Sequence, residues 1–380
     1  MRFDTRLIHE RQPPDPLTGA VNVPIYLSST FRQKAPNRNQ GYVYSRSGNP
    51  TRAALESAIG ALESGAGGLA FASGLGALET LLGAYGSGRR IVSVDDLYGG
   101  TWRLFEHHRR KFGLRVDYVD LTDLANLDRA LAEPADLVYV ETPTNPLLRL
   151  VDLRATAERA HRARAKLAVD NTFATPALQR PIETGTDIVL HSTTKYLGGH
   201  SDIIGGALAF RRRTDLEEFT WLQNAIGAVP GAFDCYLVLR GLHTLGVRMR
   251  AHEQSARAVA EVVEGHRRVR AVHYPGLPSH PQYRLARRQM SGYGGIVSLD
   301  LAGGQRAALA FLRRLRVFTL AESLGGVESL VDHPATMTHA SVPRREREAH
   351  GVTDGLVRLS CGIEDPADLA DDVRRALRGS

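Results

Sequence analysis

Short runs of apolar residues alternate with stretches of helical periodicity through the middle of the chain. Seven such runs lie at 68–72, 90–96, 114–120, 136–142, 166–171, 187–192 and 205–210. Runs that are apolar throughout, with helices between them, are typical of strands that are covered on both faces. The pattern therefore predicts an α/β fold in which a mainly parallel sheet is flanked by helices.

The pattern differs towards the two ends of the chain. Residues 1–47 are rich in Pro, Asn, Gln and Arg without sustained periodicity, which indicates an arm that is either disordered or crosses onto a partner subunit. Helical spacing begins at "TRAALESAIGALESG" and dominates again from 234 to 265. Strand-like runs at 294–302 and 355–360 then mix with helices. We predict three parts: the N-terminal arm (1–47), a large α/β domain (48–246) and a smaller C-terminal α+β domain (247–380).

Composition narrows the class of protein. The chain has 380 residues, of which 43% are hydrophobic and 23% charged, as in ordinary globular proteins. A net charge of +7 permits a nucleic-acid-binding protein, but the arginines are scattered and not collected in one arm. Two cysteines, Cys235 and Cys361, are too few and too distant for a disulfide framework. Without a membrane-spanning apolar run or a signal-like start, we expect a cytoplasmic location.

Lysine is rare in this chain. Of the 48 lysines and arginines, four are lysines: Lys34, Lys111, Lys166 and Lys195. Arginine stays protonated, whereas a lysine amine can lose its proton and act as a nucleophile. Lys195 stands in "HSTTKYLGGHSD", directly after a predicted strand. It is therefore the first candidate for chemistry.

Polar side chains follow four of the predicted parallel strands where each strand ends. They are Asp95, Asp96 and Tyr98; Glu141, Thr142 and Asn145; Asp170, Asn171 and Thr172; and Ser192, Thr194 and Lys195. Ligands of open parallel sheets bind at the carboxyl ends of the strands. The sequence therefore predicts one site at this edge of the sheet.

Pyridoxal phosphate (PLP) is a cofactor that requires such a set. It needs a lysine to bond its aldehyde, an acid beside the pyridine nitrogen, a phosphate cradle and often a stacking ring. Lys195 and Asp170 fit the first two needs. The turn Ser73–Gly74–Leu75, with Ser192 and Thr194, fits the third, and Tyr98 fits the fourth.

Other sites are less well supported. A dinucleotide site is the main rival, because Gly74 and Gly76 form G-x-G and Asp96 follows 20 residues beyond Gly76. Its third fingerprint position, however, is Glu79 and not a small residue. The sequence "FASGL" lacks the first glycine of a serine-hydrolase elbow, and no HExxH motif indicates a metal.

The motifs resemble those of the cysteine and methionine metabolism group of PLP enzymes, the trans-sulfuration enzymes. That group includes cystathionine γ-lyase, γ-synthase and β-lyase and methionine γ-lyase. The likeness rests on "YSRSGNPTR", "FASGLGA", "DDLYGGT", "ETPTNPLL", "VDNTF", "HSTTKYLGGHSD", "FTLAESLGGVESL", "MTHAS" and "VRLSCGIED", which run in the group's order over nearly the whole chain. The resemblance implies a fold-type I enzyme that forms a homotetramer of two dimers with shared active sites.

The resemblance also implies residue roles. Lys195, Tyr98 and Asp170 would be catalytic. Ser73, Gly74, Leu75, Thr172, Ser192 and Thr194 would bind the cofactor, with Tyr44 and Arg46 reaching it from the neighbouring subunit. Arg358 would bind the substrate carboxylate, helped by Asn145 and Ser323, and Glu322 and Arg103 would contact the distal half of a sulfur amino acid.

Two further positions bear on the reaction. Gly100 stands where methionine γ-lyases carry cysteine, which disfavours that activity. Val43 stands where many cystathionine-handling members carry an acid, which permits homocysteine or cysteine as substrates. Cystathionine γ-lyase is the favoured prediction, and γ-synthase and β-lyase remain alternatives. The alternative from a different class is an arginine-rich nucleic-acid-binding protein.

Overall fold

A computed structural model describes residues 1–85 and 88–378. The helices are α1 (Phe3–His9), α2 (Pro50–Leu62), α3 (Gly74–Gly83), α4 (Gly99–Phe112), α5 (Leu124–Ala130), α6 (Leu153–Arg162), α7 (Thr175–Leu178), α8 (Arg213–Ile226), α9 (Ala232–Leu242), α10 (Leu245–Val263), α11 (Tyr283–Gln289), α12 (Gly304–Leu312), α13 (Arg344–Ala349) and α14 (Pro366–Leu377). A 3₁₀ helix covers Pro181–Thr184.

The strands are β1 (Gly67–Phe71), β2 (Arg90–Val94), β3 (Arg115–Val119), β4 (Leu137–Glu141), β5 (Lys166–Asp170), β6 (Ile188–Ser192), β7 (Gly206–Phe210), β8 (Val269–His273), β9 (Ile296–Leu301), β10 (Thr319–Leu320), β11 (Leu330–Asp332) and β12 (Leu356–Ser360). Each of the seven apolar runs became a strand of one sheet, whose order is β1-β7-β6-β5-β4-β2-β3. Strand β7 is antiparallel to both of its neighbours, and the other pairs are parallel. The predicted mainly parallel sheet is confirmed.

Both faces of the large sheet are covered by apolar cores. One core contains Phe71, Val92, Val140 and Phe210 with the helices on that face. The other contains Val189 and Ala209 with residues of α2 and α9. Because neither face meets water, the strands are apolar throughout and do not alternate.

A second sheet, in the order β10-β11-β12-β9-β8, lies in the C-terminal part. Its pairs are antiparallel apart from β10 with β11. Helix α10 serves both sheets, since Leu245 and Met249 pack in the core beside α9 whereas Val259 and Val263 pack in the core of the second sheet. The predicted boundary near residue 247 falls at the start of this shared helix, and the division into domains stays a prediction.

The first 47 residues differ slightly from the prediction. Residues 3–9 form α1, whose Leu7 is buried beside α10. Few of the other residues of the arm have regular structure. The sequence did not predict this helix, because its seven residues make only two turns, too few to show a helical period of apolar positions. Among the described residues, no helix combines the length and the apolarity that a bilayer-spanning segment needs.

Candidate active site

A cavity of about 320 Å³ lies at the carboxyl ends of the parallel strands, where the large sheet meets loops of the second sheet. Its lining includes thirteen of the residues predicted from the sequence: Ser73, Gly74, Leu75, Tyr98, Asn145, Asp170, Thr172, Ser192, Thr194, Lys195, Glu322, Ser323 and Arg358. The structure therefore brings together groups that lie as far apart as 73 and 358 in the chain. Three predicted residues, Tyr44, Arg46 and Arg103, are not in this lining.

Lys195 lies in the turn that follows β6. Its backbone N–H donates to the carbonyl of Ser192 at 3.2 Å, which closes the turn. Its Nζ donates to Ser323 Oγ at 2.7 Å, across the junction between the two sheets. Burial and the positive charge of Arg358 lower the pKa of Lys195 to about 8, against the opposing effect of the Glu322 carboxylate. A substantial fraction of this amine is thus unprotonated and nucleophilic near neutral pH.

Asp170, at the end of β5, is paired in register with Glu141 at the end of β4. Burial raises the pKa of both carboxyls, and that of Glu141 is raised further by the neighbouring charge of Asp170. The N–H of Thr172 donates to Asp170 Oδ1 at 2.9 Å, which stabilises the ionised form of Asp170. We infer that Glu141 holds the proton of this pair and that Asp170 carries the charge.

Glu141 also fixes Tyr98, because its Oε2 accepts the backbone N–H of Tyr98 at 2.9 Å. Tyr98 is the residue before α4, and its side chain is 37% exposed. A Cβ at Gly100 would overlap the Tyr98 ring. A side chain at residue 100 would therefore require the ring to shift from this position.

The N-terminus of α3 forms another wall. Ser73 caps the helix by accepting the N–H of Gly76 at 2.9 Å. The first N–H groups of a helix have no acceptor within the helix, so those of Gly74 and Leu75 are available to an anion. A Cβ at Gly74 would come within 3.1 Å of Ser192 Cβ, so glycine lets the helix end approach β6. Thr194 Oγ1 accepts the N–H of Gly205 at 3.0 Å.

Arg358, in β12, is the principal cation on the opposite side. It is 2% exposed, and its Nη1 donates to Asn145 Oδ1 at 2.8 Å. Its Nη2 donates to the carbonyl of Ser323 at 3.1 Å and lies 3.4 Å from Asp332 Oδ2. Ser323 adopts φ 98°, an uncommon conformation for a residue with a side chain, and presents its carbonyl to Arg358 and its hydroxyl to Lys195.

The three residues outside the cavity lie on the surface. Tyr44 is 46% exposed, and the Arg46 guanidinium lies 5.9 Å from the centre of its ring. Arg46 Nη1 donates to the carbonyl of Asn224 at 2.6 Å. Arg103, in α4, donates to Ser341 Oγ at 3.1 Å.

The roles of two residues in this arrangement, Glu141 and Asp332, are not marked by any local motif. Glu141 was visible as a polar residue at a strand end, but nothing showed that it would bond the N–H of Tyr98. Asp332 faces Arg358 through the register of β11 and β12, a pairing that no local motif reveals. Glu141 bonds the N–H of Tyr98 and Asp332 lies opposite Arg358, so each of them helps to position a predicted site residue.

The dinucleotide alternative is not supported by the geometry. Asp96 is 2% exposed, accepts a hydrogen bond from Thr144 Oγ1, and does not line the cavity that contains Gly74. Burial raises the pKa of Asp96 to about 6. Such a buried acid does not face a ribose at the glycine turn.

The cavity fits PLP on its own chemistry. An amine with a lowered pKa, a buried carboxylate that a cation would stabilise, and a helix N-terminus opened by Gly74 lie in one lining. These are the groups that the aldehyde, the pyridine nitrogen and the phosphate of PLP require.

Comparison with known proteins agrees with this chemistry. The model of the Cys/Met metabolism PLP-dependent enzyme family matches residues 4–378. The chain belongs to this family. As a member of the Cys/Met metabolism family, it is a PLP-dependent enzyme of carbon–sulfur chemistry with the fold-type I architecture.

Three relatives illustrate the range of this Cys/Met metabolism family. A cystathionine β-lyase of Coxiella burnetii is 52% identical over 99% of this chain and 97% of its own. A cystathionine γ-lyase of Dictyostelium discoideum is 49% identical over the same shares. A crystal structure of cystathionine γ-synthase from Xanthomonas oryzae pv. oryzae in complex with cystathionine has a TM-score of 0.97 at 47% identity, and covers 100% of this chain and 98% of that one.

Proposed function

We propose that the protein is a cystathionine γ-lyase, which cleaves L-cystathionine to L-cysteine, 2-oxobutanoate and ammonia. The observation that carries this proposal is that Lys195, Arg358 and Glu322 line one cavity. An amine for the chemistry, a guanidinium for the α-carboxylate and an acid for the distal ammonium match the functional groups of cystathionine.

PLP would be held by residues at the carboxyl ends of β5 and β6 and at the N-terminus of α3. Lys195 would bond the aldehyde carbon, and Asp170 would pair with the pyridine nitrogen. The N–H groups of Gly74 and Leu75 would bind the phosphate. The side chains of Ser73, Thr172, Ser192 and Thr194 would complete the site, and Tyr98 would stack on the ring.

When bound, PLP supplies an electron sink for the pair left at the substrate Cα. The residues of this chain then move protons. The Lys195 amine, with its lowered pKa, would take the proton from the substrate Cα and then one from Cβ, and the electron pair left at Cβ would expel the sulfur at Cγ. A proton would later return to Cγ, which becomes the methyl group of 2-oxobutanoate. Tyr98 donates a proton to the leaving sulfur, and Asp170 keeps the positive charge at the pyridine nitrogen.

Arg358 would bind the substrate α-carboxylate as a bidentate pair. Asn145 and Ser323 already hold the guanidinium in place through hydrogen bonds of 2.8 and 3.1 Å. Glu322 would meet the distal ammonium, with Arg103 at the outer end of the site. Val43, 38% exposed and next to Tyr44, provides no polar contact for that end, which favours a substrate range that includes homocysteine or cysteine.

Methionine γ-elimination is disfavoured by a specific contact. The side chain that those enzymes carry at position 100 would overlap the Tyr98 ring in this chain, because a Cβ on Gly100 already does so. The Tyr98 ring would have to shift to admit that side chain.

Cystathionine γ-synthase, which joins an O-acylhomoserine to cysteine, is the second candidate. The Xanthomonas oryzae enzyme, a γ-synthase crystallised with cystathionine, supports it by a TM-score of 0.97. The test is product identification after the purified, PLP-loaded protein is incubated with L-cystathionine alone. Cysteine with 2-oxobutanoate supports the γ-lyase, and homocysteine with pyruvate supports β-lyase activity. If neither pair forms, the γ-lyase proposal is wrong, and an O-acylhomoserine with cysteine is tested next.

We also propose a homotetramer of two dimers in which Tyr44 and Arg46 complete the site of the neighbouring subunit. Their exposed position outside the cavity of their own chain supports this arrangement. Mixing unfolded K195A and R46A chains and refolding them should restore activity at about a quarter of the sites, because half of the dimers are mixed and each has one native site.

The matched control mixes K195A with D170N. Both of these residues lie in the same chain's cavity, so no mixed dimer has a native site and activity stays at the background of the parents. Equal recovery in the two mixtures, or none in the first, would contradict a shared site.

A cytoplasmic location is part of the proposal. Both cysteines, Cys235 and Cys361, are unpaired and buried, which suits a reducing compartment. The nucleic-acid-binding alternative predicts a colourless protein whose DNA binding falls steeply with salt. The proposed enzyme is yellow, and borohydride reduction should attach the cofactor to Lys195.

A further inference from the structure

A second polar cluster lies behind the predicted PLP site, on the opposite face of the large sheet. Asp170 and its cross-strand partner Leu190 both line the cavity. The residue after each of them in the chain points to the other face of the sheet. These residues are Asn171, directly after β5, and His191, in β6. Both meet Glu63, which follows the last residue of α2.

The contacts of this cluster are short and fully enclosed. His191 Nε2 lies 2.6 Å from Glu63 Oε1, and Asn171 Nδ2 donates to the same oxygen at 2.9 Å. Both side chains of the Glu63–His191 pair are at most 1% exposed. Gln179 joins the cluster by donating to Asn171 Oδ1 and to the carbonyl of Thr142, each at 3.1 Å. These hydrogen bonds therefore connect the carboxyl ends of β4, β5 and β6 on the face of the sheet opposite the cavity.

An uncompensated charge on the buried Glu63 carboxyl would be costly. His191 lies 2.6 Å from it, the separation of a charge-assisted hydrogen bond, and is therefore the group placed to compensate such a charge. Of this pair, His191 is the member on the strand next to Asp170.

We propose that Glu63 and His191 are positioning residues for the reaction: as a carboxylate–imidazolium pair, they keep Asp170 ionised and aligned from behind the sheet. The proposal rests on the role proposed above for Asp170. It agrees with the pKa of Asp170, which burial raises and which the hydrogen bonds of Thr172 and, after them, the charge of His191 lower in part. A cofactor-binding carboxylate on one face is thus controlled by a buried pair on the other.

The chain contains a second histidine–carboxylate pair that serves as a control, although its His161 side chain is 37% exposed and its Asp187 also pairs with Arg211. His161 Nε2 lies 2.7 Å from Asp187 Oδ2, at the opposite ends of the same two strands, where Asp187 also accepts the N–H of Leu167. This second histidine–carboxylate pair lies level with Leu167, which is about 10 Å from Asp170 along β5 at the rise of a strand. H161Q removes a similar contact without touching the cavity.

The experiment compares E63Q, H191Q and H161Q with the wild type, each loaded with PLP that carries ¹⁵N in its ring. The ¹⁵N chemical shift reports whether the pyridine nitrogen is protonated. We expect the shift of a protonated nitrogen in the wild type and in H161Q. In E63Q and H191Q it should move towards the unprotonated value. In these two variants kcat should fall about tenfold, as one unit of pKa implies, while KM changes little.

E63Q is the more informative variant, because glutamine keeps an acceptor oxygen for Asn171 and removes only the charge. A wild-type ¹⁵N shift in a folded E63Q overturns the proposal, even if its Tm is lower, since the pair would then serve stability alone. Failure of both E63Q and H191Q to fold overturns it too. Failure of the wild type to bind PLP would instead contradict the proposed function, so the two failures are distinguishable.

Discussion

The reactivity of Lys195 should depend on the charge of Arg358. The pKa of Lys195 is about 8, lowered by burial and by Arg358. At pH 7 about one-tenth of the amine is then unprotonated, compared with about three parts in ten thousand for an ordinary lysine of pKa 10.5. The cavity thus increases the reactive fraction roughly 300-fold.

The perturbation is R358Q, which keeps a polar side chain and removes the charge. The pKa of Lys195 should rise by about one unit, the size of the effect of a nearby unit charge. The amine fraction at pH 7 would fall about tenfold as a result. In the double variant R358Q/D332N the rise should be smaller, because the Asp332 carboxylate itself raises the pKa of Lys195.

The assay uses the scarcity of lysine. Cofactor-free protein labelled with ¹³C in its lysines has four Cε resonances, and K195R identifies the one that belongs to Lys195. Its chemical shift is followed from pH 6 to pH 11. R90Q is the control, since Arg90 is also buried but pairs with Asp117 away from the cavity. A midpoint in R358Q that equals or lies below that of the wild type would refute the reasoning.

Two further predictions follow from single contacts. G74A should weaken PLP binding at least several-fold in equilibrium titrations, because its Cβ would come within 3.1 Å of Ser192 Cβ. The control is G83A, in the same helix, whose Cβ would lie 3.5 Å from its nearest neighbour and should leave PLP binding unchanged. H350Q should lower stability to urea at pH 6 but not at pH 9. The hydrogen bond to Asp95 raises the pKa of His350 in the folded protein. The contribution of this protonated histidine to the free energy of unfolding is therefore complete below pH 6.5 and is lost as the pH rises through the folded pKa.

Local sequence was sufficient for the strands and for the placement of polar residues at one edge of the large sheet. The strands are short apolar runs, and the polar residues follow them directly, so Asp170 and Lys195 could be assigned to one edge by the general behaviour of parallel sheets. The contacts of Arg358 could not be derived in this way. Its ion pair with Asp332 depends on the register of two antiparallel strands, and its bond to Asn145 joins positions more than 200 residues apart.

The Glu63–His191 pair was missed for a related reason. Glu63 ends a helix and His191 lies within an apolar strand, so each alone is an ordinary polar residue. Only the packing of α2 against the sheet makes them a pair. The resemblance also predicted roles for residues that a single chain does not bring to the cavity. These residues are Tyr44, Arg46 and Arg103.

The division of the cavity between two sheets has a consequence for how new specificities arise. Lys195 and Asp170 belong to the large sheet, whereas Glu322, Ser323 and Arg358 belong to the loops and strands of the second sheet. The two halves are nevertheless coupled, because Ser323 accepts a hydrogen bond from Lys195 and the Glu322 carboxylate raises the pKa of that amine. A substitution at residue 322 should therefore change the pH dependence of Lys195 together with the contacts open to a substrate, so variants of this loop are best screened at more than one pH.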